Sequence, residues 1–194
     1  MANMIVFVQG SPRKNGNTRA VTSIAMKSAK ENGAEVTEID VTKLDFKEPG
    51  CINCKKCQES EAFECALNDE VAHVVATIPE YNVIVVATPL YWWSYSAQMK
   101  IFIDRMYSLT KFTDSGTYQS LLSEKIFAIL ATAGGPMEDN LELLENQWRQ
   151  PANMLGCSFL SCLFPNTPPE AGALSEDLSA IEKAKDFGRS LALA

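Results

Sequence analysis

The strongest constraint on the fold is residues 82–88, NVIVVAT, an apolar and β-branched run without a charged residue. A strand with one wet face alternates apolar and polar side chains, whereas an unbroken run indicates burial on both faces. Such burial is typical of a parallel sheet that is covered by helices on both sides. Further strands are predicted at residues 4–9, 34–40, 125–132 and 157–164.

Helical segments alternate with these strands. Apolar spacing and helix-end signals predict helices over residues 18–31, 69–81, 96–109, 138–155 and 175–193, the last with Ser175 as its N-cap. The alternation indicates an α/β layered fold with a parallel sheet and right-handed crossovers. We expect one domain over residues 1–194, with a cysteine-rich insertion loop at about 43–68, and loops of that length are usually functional.

Charge and hydropathy argue against nucleic-acid and membrane partners. The net charge is −7 and no basic stripe appears, so nucleic-acid binding is not expected. No apolar run reaches the roughly 18 residues of a membrane-spanning helix. The first ten residues, MANMIVFVQG, resemble an opening strand rather than a secretion signal. We therefore expect a cytoplasmic protein without membrane partners, in a compartment where stable disulfides are rare.

The loop after the first strand has the chemistry of an anion site. It reads GSPRKNGNT over residues 10–18 and supplies hydroxyls, amides and two cations at the carboxyl end of a strand. Ligands of open parallel sheets bind at that edge, and a helix N-terminus favours phosphate. The pattern is neither G-x-G-x-x-G nor a Walker P-loop. A plain polar turn with a threonine cap remains the alternative.

Two later loops follow predicted strands and carry unusual residues. TPLYWWS, residues 88–94, places three aromatic side chains in a row, which favours a flat aromatic ligand. TAGG, residues 132–135, permits close approach of the backbone to a ligand. The alternatives are that the tryptophans pack under their loop or in a subunit interface, and that the glycines make an ordinary turn.

In this order, the three loops resemble the NADPH-dependent FMN reductase group of flavodoxin-like proteins. The resemblance implies a three-layer sandwich with five parallel strands in the order 2-1-3-4-5. It implies FMN as cofactor, with its phosphate held by Ser11, Arg13, Asn15, Asn17 and Thr18. The isoalloxazine would contact Pro89, Leu90, Tyr91, Trp92 and Trp93, and its pyrimidine side would contact Thr132, Ala133, Gly134 and Gly135.

The resemblance also bears on catalysis and assembly. No nucleophile–base arrangement can be assembled from the sequence, so we expect no catalytic side chain and assign the chemistry to the flavin. NAD(P)H is a possible electron donor, and relatives form homodimers or homotetramers. Arg105 and Asp104, in FIDRMY, are expected at a helix surface or a subunit contact.

Four cysteines follow the pattern C-x2-C-x2-C-x7-C, at Cys51, Cys54, Cys57 and Cys65. The first three cysteines, with two x2 spacings, match those of a ferredoxin run. The pattern resembles the iron–sulfur flavoproteins, a branch of the same group, and implies that these four residues bind a [4Fe-4S] cluster. A zinc site remains open, although zinc sites usually have two separated pairs. Two further alternatives also remain open: the four thiols bind no cluster, or they oxidise to disulfides.

The sequence thus predicts an FMN-binding oxidoreductase that passes electrons between a [4Fe-4S] cluster and FMN. One alternative is an NAD(P)H-dependent FMN or quinone reductase without a cluster. The other is an electron carrier or redox-sensing module. Electron uptake from a reduced ferredoxin would favour the cluster protein, and rapid NAD(P)H oxidation would favour the reductase.

Overall fold

The computed structural model describes residues 2–194. Its strands, in chain order, are β1 (Met4–Gln9), β2 (Glu35–Asp40), β3 (Val83–Pro89), β4 (Thr110–Phe112), β5 (Tyr118–Ser120), β6 (Ile126–Thr132) and β7 (Ser158–Phe164). Five of them form one sheet in the order β2-β1-β3-β6-β7, and every pairing in it is parallel. With the β4–β5 hairpin left out of the numbering, this is the predicted order 2-1-3-4-5.

Helices cover both faces of the sheet. They are α1 (Asn17–Glu31), α2 (Lys56–Glu59), α3 (Glu70–Thr77), α4 (Ala97–Arg105), α5 (Glu142–Met154) and α6 (Leu178–Leu193). One apolar cluster joins the sheet to α3, α4 and α5, and a second joins its other face to α1 and α6. Every residue of β3 is buried, because Ile84 and Val86 enter the first cluster while Val83 and Val85 enter the second.

The register brings several strand ends to one edge. Gln9 of β1 pairs with Ala87 of β3, and Pro89 of β3 pairs with Thr132 of β6. The backbone bonding continues past the strands, since Leu90 N–H donates to the Thr132 carbonyl at 2.8 Å. The loops that follow β1, β3 and β6 therefore start side by side.

Three details of the chain differ from the sequence predictions. The β4–β5 hairpin was not foreseen, because its strands have only three residues each. Helix α5 starts at Glu142, since Asp139 has a left-handed backbone with φ 51°. Helix α6 starts at Leu178 with Asp177 as its N-cap, so the assignment of that role to Ser175 was wrong. The Asp177 carboxylate accepts from two N–H groups of the first turn.

Within residues 2–194, no helix combines the length and the apolar character needed to cross a membrane.

Candidate functional site

A cavity of about 390 Å³ lies at the carboxyl edge of the sheet. Four loops contribute to its wall, one each after β1, β3, β6 and β7. The lining residues are Ser11, Arg13, Gly16, Asn17, Thr18, Pro89, Leu90, Tyr91, Thr132, Ala133, Gly134, Thr167, Pro168 and Pro169. The three loops singled out in the sequence are thus brought together around one space.

The N-terminus of α1 forms one end of this cavity. Gly16 is the N-cap and has no side chain to accept from the first N–H groups, and no other side chain within residues 2–194 caps them. Those N–H groups and the positive end of the helix dipole favour an anion at this position. Ser11 and Thr18 are buried beside them, and the Thr18 hydroxyl lies 2.7 Å from that of Thr132.

The loop after β7 was not identified from the sequence as part of the site. It is fastened to the first loop by Asn17, whose side-chain amide donates to the carbonyls of Pro168 and Glu170 at 2.8 and 2.9 Å. The Asn17 side-chain oxygen accepts from the backbone N–H of Leu174. The side chain of Asn17 is therefore committed to the protein, which leaves its backbone N–H for a ligand. The available signal was position, because this loop also follows a parallel strand.

Arg13 and Asn15, both predicted to hold the phosphate, differ in position, because only Arg13 lines the cavity. The Arg13 guanidinium lines the cavity and donates to the Pro169 carbonyl at 3.2 and 3.3 Å, which ties the first loop to the rim. Asn15 lies outside the cavity, in a neighbouring groove with Lys14 and Arg19.

The two tryptophans occupy a tight turn at the rim. Tyr91 and Ser94 exchange two backbone hydrogen bonds, and Trp92 and Trp93 between them have φ values of 49° and 59°. This is the two-residue hairpin turn that usually contains Asn-Gly, so two bulky residues here are strained. Tyr91 lines the cavity, whereas neither tryptophan does, and Trp92 is 89% exposed. A direct contact of either indole with a ligand stays a prediction.

The two glycines after β6 have different positions relative to the cavity. Gly134 lines the cavity and has open space where a side chain would extend. Gly135 lies behind the lining, and a Cβ there would meet the Asn140 amide nitrogen at 2.5 Å. Gly135 therefore allows the loop to pack against Asn140.

The four cysteines of the insertion face one small hollow, which is also lined by Arg105 and Tyr107. We call residues 50–65 the cysteine segment. Left-handed backbone at Gly50, Asn53 and Lys55, with φ values of 91°, 55° and 63°, turns the segment around this hollow. All four cysteines are free thiols. Among residues 2–194, no group of three or more His, Cys, Asp or Glu side chains is arranged to hold a metal ion.

The donor set nevertheless suits an iron–sulfur cluster. Thiolates are soft ligands, and N–H groups that donate to sulfur tune such centres. The Asn53 backbone N–H lies 3.4 Å from Cys51 Sγ, and the Gln58 amide lies 3.6 Å from Cys57 Sγ. The Arg105 guanidinium lies 2.9 Å from Cys65 Sγ. Four sulfurs on one hollow, three of which accept hydrogen bonds, fit a centre with four cysteine ligands.

The unforeseen hairpin braces the cysteine segment. The Lys111 ammonium donates to the carbonyls of Cys57, Ser60 and Ala62. The Gln58 side chain donates to the Thr110 carbonyl at 2.9 Å and accepts from the Phe112 N–H at 3.0 Å. The segment is thus held by side chains of a neighbouring element rather than by a backbone ladder.

Arg105 does not lie at the surface, so the prediction of a surface or subunit contact was wrong for this residue. Its side chain is fully buried and pairs with Asp69 at 2.7 Å. Burial alone would raise the pKa of Asp69, but hydrogen bonds from Lys47, Ala72 and Arg105 hold that pKa below its usual value. Burial would lower the pKa of Arg105, but its bonds to Cys65 and Asp69 raise it instead. Asp104 remains partly exposed and pairs with Lys100.

Fold and cavity together define a class, a flavodoxin-like α/β protein with an open cavity and an uncapped helix N-terminus at the carboxyl ends of its central strands. More narrowly, the chain belongs to the NADPH-dependent FMN reductase family, whose family model matches residues 3–164. This match confirms the resemblance drawn from the three loops.

Individual relatives are more distant. An iron-sulfur flavoprotein of Archaeoglobus fulgidus is 32% identical over 103 residues, which are 52% of this chain and 44% of that relative. The chain spans about half the length of the curated relatives it matches.

Two solved structures are similar over nearly the whole chain. An NAD(P)H:quinone oxidoreductase from Methanothermobacter marburgensis has a TM-score of 0.75 at 17% identity and covers 98% of this chain and 100% of its own. An FMN-dependent NADH-azoreductase from Bacillus anthracis, in complex with FMN, has a TM-score of 0.72 at 16% identity. Its alignment covers 98% of this chain and 99% of the azoreductase chain. At these identities the likeness shows the fold alone.

Proposed function

We propose that this chain binds FMN in the cavity and passes electrons between FMN and a [4Fe-4S] cluster held by Cys51, Cys54, Cys57 and Cys65. The observation that carries the proposal is the pairing of two sites in one chain. An uncapped helix N-terminus opens into a cavity at the β1–β3 switch point, and four thiols line a second hollow. In flavodoxin-like sheets that switch point is where FMN binds.

The proposed phosphate site is the end of the cavity at α1. The backbone N–H groups of Asn17 and Thr18, with the hydroxyls of Ser11 and Thr18, would donate to the phosphate oxygens. Arg13 would supply charge from the rim. A buried anion without such donors would be costly, and this loop offers them before any ligand arrives.

The proposed ring site lies between the other loops. Pro89, Leu90 and Tyr91 would cover one side of the isoalloxazine, and Thr132, Ala133 and Gly134 would border its pyrimidine side. Trp92, Trp93, Asn15 and Gly135 lie outside the lining. For Trp93, which donates to the Asp139 carbonyl, and for Gly135, which leaves room for the Asn140 amide, we propose a part in shaping the loops.

The cavity leaves the redox chemistry to the cofactor. Among the described residues, Arg13 and Tyr91 are the only ionisable side chains that line it. When bound, FMN supplies one- and two-electron chemistry. The chain's own part is to bind the phosphate, orient the ring and shield one side of it with Leu90 and Tyr91.

A second candidate function is a flavin-dependent NAD(P)H reductase without a cluster. It is favoured by one observation, that the cysteines are not arranged as a metal site among the described residues. Its acceptor would be a quinone or free FMN. We place both versions in the cytoplasm as homodimers or homotetramers, with NAD(P)H or a reduced ferredoxin as donor.

Anaerobic electron-donor assays separate the two candidates. FMN-loaded protein is mixed with NADPH, NADH or reduced ferredoxin, and flavin bleaching is followed. The cluster proposal expects rapid reduction by ferredoxin and slow reduction by either nicotinamide. Rapid NAD(P)H oxidation with no response to ferredoxin would favour the reductase. A chain that binds no FMN at micromolar concentration would contradict both.

A further inference from the structure

We infer that Arg105 is a positioning residue of the cysteine site, one that closes the cysteine segment and holds the Cys65 sulfur toward the other three. The inference rests on the proposed function for the identity of the centre. Its geometric basis, however, is in the protein alone and can be tested without iron.

The guanidinium of Arg105 bonds to both ends of the cysteine segment at once. Its Nε donates to the Gly50 carbonyl at 2.6 Å, immediately before the first cysteine. Its Nη1 donates to Cys65 Sγ at 2.9 Å, at the last cysteine. A third bond, from Nη2 to the Glu48 carbonyl at 3.1 Å, holds the chain leading into the segment. Two points about fifteen residues apart are therefore joined through one planar, rigid group.

Asp69 fixes the guanidinium in this position. Its carboxylate pairs with Arg105 Nη2 at 2.7 Å and also accepts from the backbone N–H groups of Lys47 and Ala72, both at 2.9 Å. The arginine and the carboxylate are both almost completely buried. A lysine could keep the charge but could not make the forked set of bonds.

The contact also distinguishes Cys65 from its neighbours. Cys51 and Cys57 accept from neutral N–H groups, whereas Cys65 accepts from a cation. An electron that reaches this centre from reduced ferredoxin or dithionite adds one negative charge. A buried cation beside a ligand sulfur stabilises the reduced form, so Arg105 should raise the reduction potential.

The first test measures closure in iron-free protein. Trypsin can cleave after Lys55 and Lys56, which lie inside the cysteine segment, and mass spectrometry identifies the cut. Because Arg105→Met alone leaves a buried unpaired carboxylate, the comparison is Asp69→Asn against the double variant Asp69→Asn/Arg105→Met. We expect cleavage to be about tenfold faster in the double variant, and also in Arg105→Lys relative to wild type. The FMN dissociation constant serves as the fold control and should stay within about twofold.

The second test measures the potential after reconstitution with iron(II) and sulfide. The double variant should show about a tenfold smaller equilibrium constant for one-electron reduction than Asp69→Asn, which corresponds to about 59 mV. Arg105→Lys should stay within about threefold of wild type, because the charge is kept. A role in packing alone would change cleavage and leave the potential unmoved.

The outcomes separate the inference from the proposed function. Equal cleavage rates in the compared pairs would overturn the inference, and so would an unchanged potential in the double variant. If wild-type protein takes up no iron, the cluster proposal fails alone, and the cleavage rates still decide whether Arg105 closes the segment.

Discussion

The cavity and the cysteine segment are built by different means. The cavity follows from the sheet, since its loops extend the strands and are linked backbone to backbone. Leu90 donates to Thr132, Ala133 donates to Phe164, and Thr167 donates back to Ala133. The cysteine segment lies beyond the sheet and is held by individual side chains, chiefly those of Arg105 and Lys111.

This difference suggests how each site meets its ligand. A cavity whose walls are strand ends is in place before the cofactor binds. The cysteine segment gathers its sulfurs around a hollow but is not arranged as a metal site within residues 2–194. Metal binding commonly supplies the last ordering of such segments. The variants below test whether the two regions respond independently.

The largest effect is expected for Arg105→Met. The change leaves the buried Asp69 carboxylate without its partner, and breaking such a pair typically costs about 3–5 kcal/mol. Urea unfolding of FMN-loaded protein measures the loss. The matched control is Arg189→Met, because Arg189 pairs with Asp186 on an exposed helix surface. A loss below about 1 kcal/mol for Arg105→Met would mean that the segment does not depend on this ion pair.

Thr18→Val should affect the cavity and leave the cysteine segment unchanged. The substitution removes a buried hydroxyl at the proposed phosphate site and its bond to Thr132. Loss of a hydrogen bond to a charged group costs about 1.5–3 kcal/mol, so the FMN dissociation constant should rise at least about tenfold. Thr22→Val, one turn further along α1, removes a bond to the Thr18 carbonyl and serves as control. If both variants weaken FMN equally, the effect comes from the helix rather than from the site.

Asp40 lies near the first loop of the cavity, and its ionisation should make the stability of the folded chain depend on pH. Its carboxylate accepts a hydrogen bond from the Arg19 guanidinium, which also donates to the Ser11 carbonyl of the first loop. Burial alone would raise the pKa of Asp40, but hydrogen bonds from Arg19, Thr42 and Lys43 hold it well below its usual value.

A depressed folded-state pKa contributes stability above the unfolded value of 3.8, and this contribution is lost as the pH falls below that value. Between pH 5 and pH 3, wild type should therefore lose about 1 kcal/mol more than Asp40→Asn. Urea unfolding at both pH values measures the difference. Parallel losses in the two proteins would show that Asp40 is not responsible for the acid sensitivity.

The smallest effect is expected at the tryptophan turn. Trp92→Gly removes an exposed side chain from a left-handed position that glycine adopts freely, so unfolding should change by less than about 0.5 kcal/mol. Trp93→Gly should cost about 1 kcal/mol more, because Trp93 Nε1 donates to the Asp139 carbonyl at 2.9 Å. FMN affinity should be unchanged in Trp92→Gly. A tenfold loss of affinity would place that indole in the flavin site.

The sheet could be predicted because buried parallel strands leave a strong pattern. β3 reads as an unbroken apolar run, and the alternation of strands and helices then determines the class of fold. The three loops at the strand ends were predictable for the same reason, since each directly follows a recognised strand. The β7 loop follows the same rule, but its residues carry no distinctive chemistry.

Other features depend on contacts that a linear pattern does not carry. Arg105 lies in an ordinary amphipathic helix, and only the folded chain brings it to Cys65 and Asp69. The β4–β5 strands are too short to show a period of two. The orientation of the tryptophans depends on backbone φ values that are unfavourable for tryptophan, so side-chain preferences could not reveal it.

The iron and acid-labile sulfide content per FMN of anaerobically purified protein, together with its visible spectrum, decides whether the chain holds one cofactor or two. We expect about four iron and four sulfide per flavin, as a [4Fe-4S] cluster requires. We also expect cluster absorption that disappears in Cys57→Ser while FMN stays bound. FMN without iron in the wild-type protein would contradict the two-cofactor account and leave a flavin reductase with a thiol-rich loop.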